Sequence, residues 1–180
     1  MNAPAHPRSV ELTQLLAARD ARAARHAAAR ERYSLPLVSL TLVSPGPVKD
    51  GLQQRHVMRE ALKALDACLS RESRPIVERE VYWLPTGPEA LYVVNAEAAH
   101  LKAALVELEN RHALGRLWDL DVIGAGGPVS RQSLGMPARP CLLCGEAAHA
   151  CARSQRHTLP SLLAAIEERI DAFDRRATAR

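Results

Sequence analysis

Hydrophobic and polar positions follow two different periods along this chain. Apolar residues recur at helical spacing in four segments, and this predicts amphipathic helices at residues 9–33, 51–70, 97–111 and 158–175. Short β-branched or alternating runs predict strands at residues 35–44, 77–84, 90–96 and 116–124. Since the turn at residues 85–89 joins the second and third strands directly, we expect these two strands to form a hairpin.

The order of the middle elements is β-α-β-β-α-β, which is that of the ferredoxin-like fold. We therefore predict an α+β fold with such a sheet, flanked by an N-terminal and a C-terminal helix. A chain of 180 residues is long enough for one domain of ordinary size. We expect a single domain over residues 1–180, with a loose tail at 1–8 and a Cys/His-rich segment plus helix at 139–180 packed on it.

This topology brings distant parts of the sequence to one edge of the sheet. Neighbouring strands are antiparallel, and the fourth strand lies beside the first. Four segments then meet at the same edge, namely residues 44–50, 85–89, 107–112 and 115–121. Because these segments contain the most unusual polar residues of the chain, we expect the functional site there.

Composition and charge narrow the classes of ligand. The chain has 24 basic and 20 acidic residues and a formal net charge of +4, and most of its basic residues are arginine. Arginine makes forked contacts to phosphate and carboxylate groups. The basic residues form no dense patch of the kind found in duplex-DNA-binding proteins, so we expect a ligand with a few phosphates and no nucleic acid.

Membrane and export signals are missing from the sequence. No apolar run reaches the roughly 18 residues that a membrane-spanning helix needs, and the first residues are too polar for a signal peptide. We therefore expect a cytoplasmic protein with no membrane partner. Its four cysteines are then thiols or metal ligands rather than disulfides.

Two aspartates interrupt the last predicted strand. Asp119 and Asp121 are two positions apart, so their side chains project from one face, while Trp118 and Leu120 cover the other. Neighbouring carboxylates repel each other unless a cation lies between them. Mg²⁺ held by one or two carboxylates and by substrate phosphates is usual in nucleotidyl transfer. The pair is a candidate Mg²⁺ site, and the alternative is two solvated side chains on an exposed face.

The turn after the first strand leads into a helix N-terminus, which favours anions. It contains Gly46 and Lys49, and Lys49 is expected at the same sheet edge as Arg116. We predict that Lys49 and Arg116 contact substrate phosphates, with Gly46 in the binding turn. Arg19 and Arg22 of the first helix are further candidates for phosphate contacts. An ordinary strand-to-helix turn is the alternative.

His112 and Glu109 lie at the predicted end of the helix that precedes the aspartate pair. Either side chain is a candidate general base, and histidine titrates in the useful pH range. The alternative for His112 is that it caps the helix C-terminus, where the helix dipole favours it.

Cys141, Cys144, Cys151 and His157 provide the right number of ligands for tetrahedral Zn²⁺. The C-x₂-C spacing of the first pair fits such a site, whereas the second half does not match a common zinc finger. The Ala-rich residues 146–152 are typical of a helix, in which small buried cysteines are common. A structural zinc site and a metal-free thiol cluster that ties the C-terminal helix to the sheet both stay open here.

A set of motifs occurs in a fixed order between residues 10 and 170. They are Leu15-Leu16-Ala17-Ala18-Arg19-Asp20-Ala21-Arg22, Val38-Ser39-Leu40-Thr41, Pro45-Gly46-Pro47-Val48-Lys49, Gly87-Pro88-Glu89, Lys102, Glu107-Leu108-Glu109 with His112, Leu114-Gly115-Arg116-Leu117-Trp118-Asp119-Leu120-Asp121-Val122, Arg139-Pro140-Cys141-Leu142-Leu143-Cys144, and Cys151-Ala152-Arg153 with His157. In this ordered set the chain resembles the holo-citrate lyase synthase family. These phosphoribosyl-dephospho-CoA transferases prime the acyl carrier subunit of citrate lyase.

The resemblance implies a specific reaction. A serine hydroxyl of the apo acyl carrier subunit of citrate lyase attacks the α-phosphorus of 2′-(5″-triphosphoribosyl)-3′-dephospho-CoA. Diphosphate leaves, and the prosthetic group stays attached through a phosphodiester. The nucleophile then belongs to the partner protein, and this chain must position the triphosphate and neutralise its charge, with Mg²⁺ as the expected cofactor.

Three other functions stay open on the sequence alone. The first is the same transfer to the carrier subunit of malonate decarboxylase. The second is a zinc-stabilised nucleic-acid-binding module, which the low aromatic content of 3% disfavours because bases stack on aromatic side chains. The third is a non-catalytic carrier-binding or assembly factor. Metal-dependent release of diphosphate would separate the enzyme from both non-enzymatic alternatives.

Overall fold

The computed structural model describes residues 8–179, so residues 1–7 of the expected N-terminal tail lie outside it. Within residues 8–179 the helices are α1 (Leu12–Tyr33), α2 (Leu52–Arg71), α3 (Ala98–Arg111), α4 (Ala148–Arg153) and α5 (Leu159–Thr178). The strands of the same range are β1 (Leu37–Leu42), β2 (Ile76–Leu84), β3 (Gly87–Val94), β4 (Trp118–Gly124) and β5 (Gly127–Val129). Short 3₁₀ turns occupy Gly115–Leu117 and Gln132–Leu134.

The strands form one antiparallel sheet in the order β2-β3-β1-β4-β5. The predicted α+β fold and its β-α-β-β-α-β order are therefore confirmed, with β4 beside β1 as in ferredoxin-like sheets. The strand β5 is not among the four strands that the sequence pattern predicts. The glycine-rich turn between Gly124 and Gly127 lets three further residues pair with the end of β4.

Several boundaries differ from the sequence prediction, among them those of β1 and β3, and two of the differences have a clear cause. The helix α1 begins at Leu12 rather than at Ser9, because Ser9 pairs with Val48 in an isolated bridge. The strand β4 begins at Trp118, because Gly115 starts a 3₁₀ turn that packs on α3. A Cβ atom at Gly115 would lie 2.3 Å from the carbonyl oxygen of Glu109, so only glycine fits this close approach.

The main core lies on one face of the sheet. It joins the buried side chains of β1, β3 and β4 to those of α2, α3 and α5. Trp118, Leu120, Leu65 and Leu101 are among its fully buried members. On the other face, α1 covers a smaller cluster of Leu37, Leu91 and Val93. None of the helices in the described range is long and apolar enough to cross a bilayer.

The convergence of four segments at one edge of the sheet is confirmed. Leu42 at the end of β1 pairs with Trp118 at the start of β4, and the Val43 N–H donates to the Leu117 carbonyl at 2.9 Å. A Cβ built on Gly87, at the hairpin turn, would lie 3.7 Å from the Cβ of Lys49. The end of α3 completes the group through the contact of Glu109 with Gly115.

Candidate active site at the open edge of β4

Asp119 and Asp121 project from the same face of β4, as the alternation predicts. Trp118, Leu120 and Val122 between and beside them are buried in the main core. Partial desolvation raises the pKa of Asp121, and the neighbouring Asp119 carboxylate raises it further. The two carboxylates therefore disfavour each other's charge, which is the condition under which a bound cation is stabilised.

The two aspartates have different basic partners. The Oδ1 atom of Asp119 accepts a hydrogen bond from Nη1 of Arg139 at 3.0 Å. Asp121 is more exposed, and its Oδ1 lies 3.6 Å from Nζ of the buried Lys102. Asp121 thus keeps more of its surface free for a ligand than Asp119 does.

The first half of β4 has an open edge, because β5 pairs only with residues 122–124. Side chains close this edge. The Leu120 N–H donates to Oε1 of Glu109 at 3.0 Å, and Nζ of Lys102 donates to the Leu120 carbonyl at 2.6 Å. Arg139 donates to the Trp118 carbonyl. Residues of α3 and of the segment before α4 therefore take the place of a neighbouring strand.

Glu109 is also the centre of a buried charge cluster. Its carboxylate, with only 5% of the side chain exposed, pairs with Arg131 and lies 3.5 Å from Nη2 of Arg139. Together with the Leu120 N–H, these contacts occupy both carboxylate oxygens. Glu109 is thereby placed to hold two arginines beside β4.

These arginines line a cavity of about 220 Å³ next to the aspartate pair. Its wall includes Arg116, Arg131, Arg139 and Arg169, with Glu109 as its acidic side chain. In the described part of the chain, the buried Nε atoms of Arg116, Arg139 and Arg169 have no hydrogen-bond partner. Four guanidinium groups around a cavity whose wall has Glu109 as its acidic side chain favour an anionic ligand.

Arg116 is the most strongly perturbed of these groups. Burial lowers its pKa to about 10, and the nearby positive charge of Arg139 contributes to the shift. Such a guanidinium is still charged at neutral pH, yet it is held in an environment that disfavours the charge. A phosphate in the cavity would relieve this cost. Arg116 lines the cavity beside Arg139, and its predicted contact with a substrate phosphate stays a prediction.

A second, larger cavity of about 750 Å³ adjoins the first. Arg116, Arg139 and Cys141 line both. The rest of its wall is mostly apolar and includes Val43, Leu142, Leu159 and Leu162. Its volume lies within the range of about 300–1,000 Å³ that is usual for small-molecule sites. A charged compartment and an apolar one therefore share a wall.

His112, the C-cap residue of α3, is one of the residues that line the arginine-lined cavity. Its ring packs on Trp118, with 4.3 Å between ring centroids, and its Nδ1 accepts from the Leu114 N–H at 3.1 Å. Burial lowers the pKa of His112, so the ring is neutral at neutral pH. With Nδ1 as acceptor, the proton of the neutral ring lies on Nε2.

The predicted phosphate turn lies close to the cavities but does not line the smaller one. Lys49 donates through Nζ to the Ser44 carbonyl, and burial lowers its pKa. Ser44 is part of the wall of the larger cavity, together with Arg116. Gly46 has a φ of +80°, and a Cβ there would lie 3.3 Å from the Leu159 side chain. This glycine allows the turn to pack on the start of α5.

The two candidate arginines of α1 have different surroundings. Arg22 pairs with Glu89, a buried residue of β3, and Arg25 pairs with the same carboxylate. Arg19 is exposed, one turn closer to the N-terminus of α1. The structure thus gives Arg22 a contact that fastens α1 to the sheet, and brings neither Arg19 nor Arg22 to the walls of the two cavities.

Cys141, Cys144, Cys151 and His157 converge, with their ligand atoms all within 4.8 Å of one another. Burial raises the pKa of the Cys141 thiol. The N–H groups of Leu143 and Cys144 and the other two thiols outweigh burial, so that this pKa falls to about 6. Burial and the neighbouring thiols of Cys144 and Cys141 raise the pKa of Cys151 to about 12. The cluster thus favours one thiolate and disfavours a second.

Four basic residues of this region, Lys102, Arg131, Arg139 and Arg169, were not among the predicted site residues. Arg169 carries a recognisable signal, because it lies on the apolar stripe of α5 beside Ile166 and Ile170. Arg139 directly precedes Pro140 and the first cysteine of a quoted motif. Arg131 lies in a segment with no periodic pattern, and nothing in the sequence distinguishes it.

Comparison with known proteins covers almost all of the chain. Residues 10–173 match the CitX family, described as apo-citrate lyase phosphoribosyl-dephospho-CoA transferase. Proteins of that name from Escherichia coli O7:K1 (strain IAI39 / ExPEC) and O1:K1 / APEC are each 40% identical over 167 residues. These alignments span 92% of this chain and 91% of each relative. The protein of the same name from strain O139:H28 (E24377A / ETEC) is 39% identical.

Proposed function

The chain belongs to the apo-citrate lyase phosphoribosyl-dephospho-CoA transferase family, and on this premise we propose the reaction that it performs. It transfers the 2′-(5″-phosphoribosyl)-3′-dephospho-CoA group from its triphosphate precursor to a serine of the apo acyl carrier subunit of citrate lyase. Diphosphate is the other product. The observation that supports this most directly is the arginine-lined cavity beside the aspartate pair.

The two adjoining cavities suit the two halves of the precursor. The triphosphate is strongly anionic, and the smaller cavity presents four arginines against the single carboxylate of Glu109. The dephospho-CoA portion is longer and less charged, and the larger cavity has a mostly apolar wall. Arg116 and Arg139 line both cavities, so we place the phosphorus that is attacked near these two side chains.

The residues on the face of β4 fit Mg²⁺. Their donors are carboxylate oxygens, which Mg²⁺ prefers, and the pKa of Asp121 is raised first by burial and then by the nearby carboxylate of Asp119. We propose that Asp119 and Asp121 hold the ion. When bound, Mg²⁺ supplies charge neutralisation for the phosphates. Asp121 is the more accessible of the two ligands, because Asp119 already pairs with Arg139.

The arginines then act on the group that leaves. Negative charge develops on the diphosphate as its bond to the α-phosphorus breaks, and fixed guanidinium groups stabilise that charge without reorganisation. Glu109 holds Arg131 and Arg139 in place for this role. The serine hydroxyl comes from the partner protein, so the open side of the site must admit a carrier loop.

His112 and Glu109 stay the predicted general bases for that hydroxyl, and their contacts make both assignments easy to test. The carboxylate of Glu109 is paired with two arginines, and Nδ1 of His112 already accepts a hydrogen bond. If either is the base, its variant His112→Gln or Glu109→Gln loses the fall in rate at acidic pH that protonation of the base causes in the wild type. An unchanged profile shape in both variants would remove the two residues as bases and leave them as structural groups.

One experiment tests the proposed function directly. The purified protein is mixed with the triphosphate precursor, Mg²⁺ and the apo acyl carrier subunit, and the carrier is weighed by mass spectrometry. We expect the carrier to gain one prosthetic group, and diphosphate to appear in equal amount. The apo carrier of malonate decarboxylase serves as the competing acceptor, and omission of Mg²⁺ as the cofactor control. No mass gain on either carrier would overturn the proposal.

A further inference from the structure

Cys141 lines both cavities, but the proposed transfer assigns no chemical step to the Cys/His cluster, and the geometry of the cluster carries a separate conclusion. We propose that Cys141, Cys144, Cys151 and His157 bind one structural zinc ion, which fixes the segment before α5 and thereby positions Arg139. The ion differs from the proposed Mg²⁺ in its ligands, because it is held by sulfur and nitrogen rather than by oxygen.

Two distances within the cluster are close to those of a tetrahedral zinc site. Zinc–sulfur bonds of about 2.3 Å and zinc–nitrogen bonds of about 2.0 Å separate neighbouring ligand atoms by roughly 3.3–3.8 Å. The Sγ atom of Cys144 lies 3.5 Å from that of Cys151 and 3.4 Å from Nε2 of His157. All four ligand atoms are within 4.8 Å of one another. A shared centre is therefore within reach of each without rearrangement of the backbone.

The local backbone explains why these residues meet. The Cys141 N–H donates to the Glu146 carbonyl at 2.7 Å, and the Ala148 N–H donates to the Arg139 carbonyl at 2.8 Å. These bonds close a tight loop that brings Cys144 back beside Cys141. Cys151 is the buried residue of α4, and His157 immediately precedes Thr158, the N-cap of α5. The cluster thus joins a loop, a short helix and the start of α5.

Metal-free alternatives account less well for this arrangement. A cluster that only packs would favour apolar contacts, whereas here three sulfurs and a ring nitrogen face one another. The remaining cysteine of the chain, Cys68, shows the packing case. It is buried on α2 among apolar residues, with Glu72 as its polar neighbour at 3.8 Å. Cys68 is therefore a natural internal control.

The position of the cluster links it to the active site. Arg139 is two residues before Cys141, and its guanidinium contacts both Asp119 and Glu109. The segment from Arg139 to His157 contains little regular structure besides the six-residue α4. A metal that fixes Cys141 therefore restricts where Arg139 can lie. In this role Arg139 is the group that touches the substrate, and the zinc ligands position it.

Metal content tests the proposal without any activity assay. We expect the wild-type chain, purified under reducing conditions, to contain one zinc per chain by mass spectrometry of the metal. Cys144→Ser and His157→Gln should lose it, while Cys68→Ser and His149→Gln, two matched controls outside the ligand set, should keep it. If the two ligand variants contained as much zinc per chain as the two controls, the assignment of ligands would be overturned.

A second measurement on the wild-type chain covers the case in which ligand variants fail to fold. Co²⁺ replaces the metal after chelation, and tetrahedral cobalt with three thiolates gives intense visible absorption. We expect this spectrum, together with a lower melting temperature of the metal-free chain. Absence of both zinc and the cobalt spectrum, or a Cys144–Cys151 disulfide in the freshly purified chain, would refute the site.

Discussion

Asp119 and Asp121 occupy equivalent positions on a strand face, yet their surroundings make them unequal as experimental probes. Asp119→Asn also removes the ion pair with Arg139, whereas Asp121→Asn removes a carboxylate whose side chain is 62% exposed. We expect both variants to fold and to lose transfer by about 100-fold or more, since a metal-held charge contact is lost. The measurement is the rate of mass gain by the carrier at saturating Mg²⁺.

The control for this pair is Asp171→Asn, which changes an exposed aspartate on α5 that lines neither the smaller nor the larger cavity. It should transfer at the wild-type rate. Near-normal rates in both Asp119→Asn and Asp121→Asn would exclude the pair from the mechanism.

Arg116 offers a second test at the scale of one residue. Its Nε is buried without a partner in the described chain, so a phosphate would satisfy a donor that the protein leaves unpaired. Loss of a charged hydrogen bond costs about 1.5–3 kcal/mol. We therefore expect Arg116→Ala to raise the Kd of the precursor by about 10- to 100-fold, measured by calorimetry.

Arg111→Ala is the matched control for Arg116→Ala. Arg111 ends α3 nearby, but its side chain is 82% exposed and pairs with the exposed Glu107 on the same helix. An equal change in the Kd of the precursor for both variants would show that general positive charge, and not the cavity, determines binding.

From the burial of His112 we predict that the unfolding free energy of the chain depends on pH. Burial lowers its pKa in the folded state below the ordinary 6.5, so unfolding takes up a proton when the pH falls below that value. Its stabilising contribution is thus present above the unfolded pKa and is lost as the pH falls toward the folded one. When the pH falls from about 7.5 to about 5.5, we expect the unfolding free energy of His112→Gln to decrease less than that of the wild type.

Chemical denaturation at both pH values measures this difference. His100→Gln, which changes an exposed histidine at the start of α3, is the control and should follow wild type. Identical pH dependence in wild type and His112→Gln would show that His112 is protonated equally in the folded and unfolded chain.

Sequence patterns could predict individual site residues only where the residues lie in an element with a regular spacing of side chains. Asp119 and Asp121 were predicted because alternation in a strand assigns each side chain to a face. The role of Arg131 could not be predicted, since its position beside Glu109 depends on a loop without a repeating pattern. The sequence shows that Arg22 is charged, but it does not indicate that Glu89 is its partner, because the two residues are 67 positions apart.

At the scale of elements, α3 is more than a cover for the sheet. Its Lys102 and Glu109 hydrogen-bond the two backbone groups of Leu120 that face the open edge of β4. A helix thus supplies through side chains what a neighbouring strand would supply through its backbone. This arrangement keeps the edge next to Asp119 and Asp121 free of another strand, so the pair stays accessible to a ligand.

The Glu109 carboxylate provides the prediction at this scale. Glu109→Gln keeps the size of the side chain but leaves Arg131 and Arg139 without their buried counter-charge. Breaking a buried pair costs about 3–5 kcal/mol, so we expect a loss of this order in the unfolding free energy from urea titration. Glu107→Gln is the control, because its side chain is 52% exposed and should change stability by less than about 0.5 kcal/mol.

A loss in Glu109→Gln no larger than that in Glu107→Gln would show that the edge of β4 does not depend on this carboxylate. The four long helices α1, α2, α3 and α5 were predictable to within a few residues, since each carries an apolar stripe over at least three turns. The strand β5 was not, because three residues are too short to show alternation and its pairing depends on the turn at Gly126.

In the molecule as a whole, β4 separates the aspartate pair from the apolar core, while the arginine-lined cavity lies at its edge among residues of α3 and α5. Alternate residues of that strand serve the two purposes, Trp118 and Leu120 facing the core and Asp119 and Asp121 facing away. The helix α1 lies over the side away from the core, and none of its residues is fully buried. Its attachment depends on polar contacts, chiefly those of Arg22 and Arg25 with Glu89.

This attachment gives a prediction about local unfolding. Glu89→Gln removes a carboxylate that is 4% exposed and leaves two arginines unpaired, so α1 should detach from the sheet more often. We expect faster amide hydrogen exchange in Leu12–Tyr33, with exchange in β1, β3 and β4 unchanged. Asp20→Asn, on the exposed side of α1, should leave exchange as in wild type. Equal protection of α1 in Glu89→Gln and wild type would mean that its apolar contacts with Leu37, Leu91 and Val93 are sufficient to hold it.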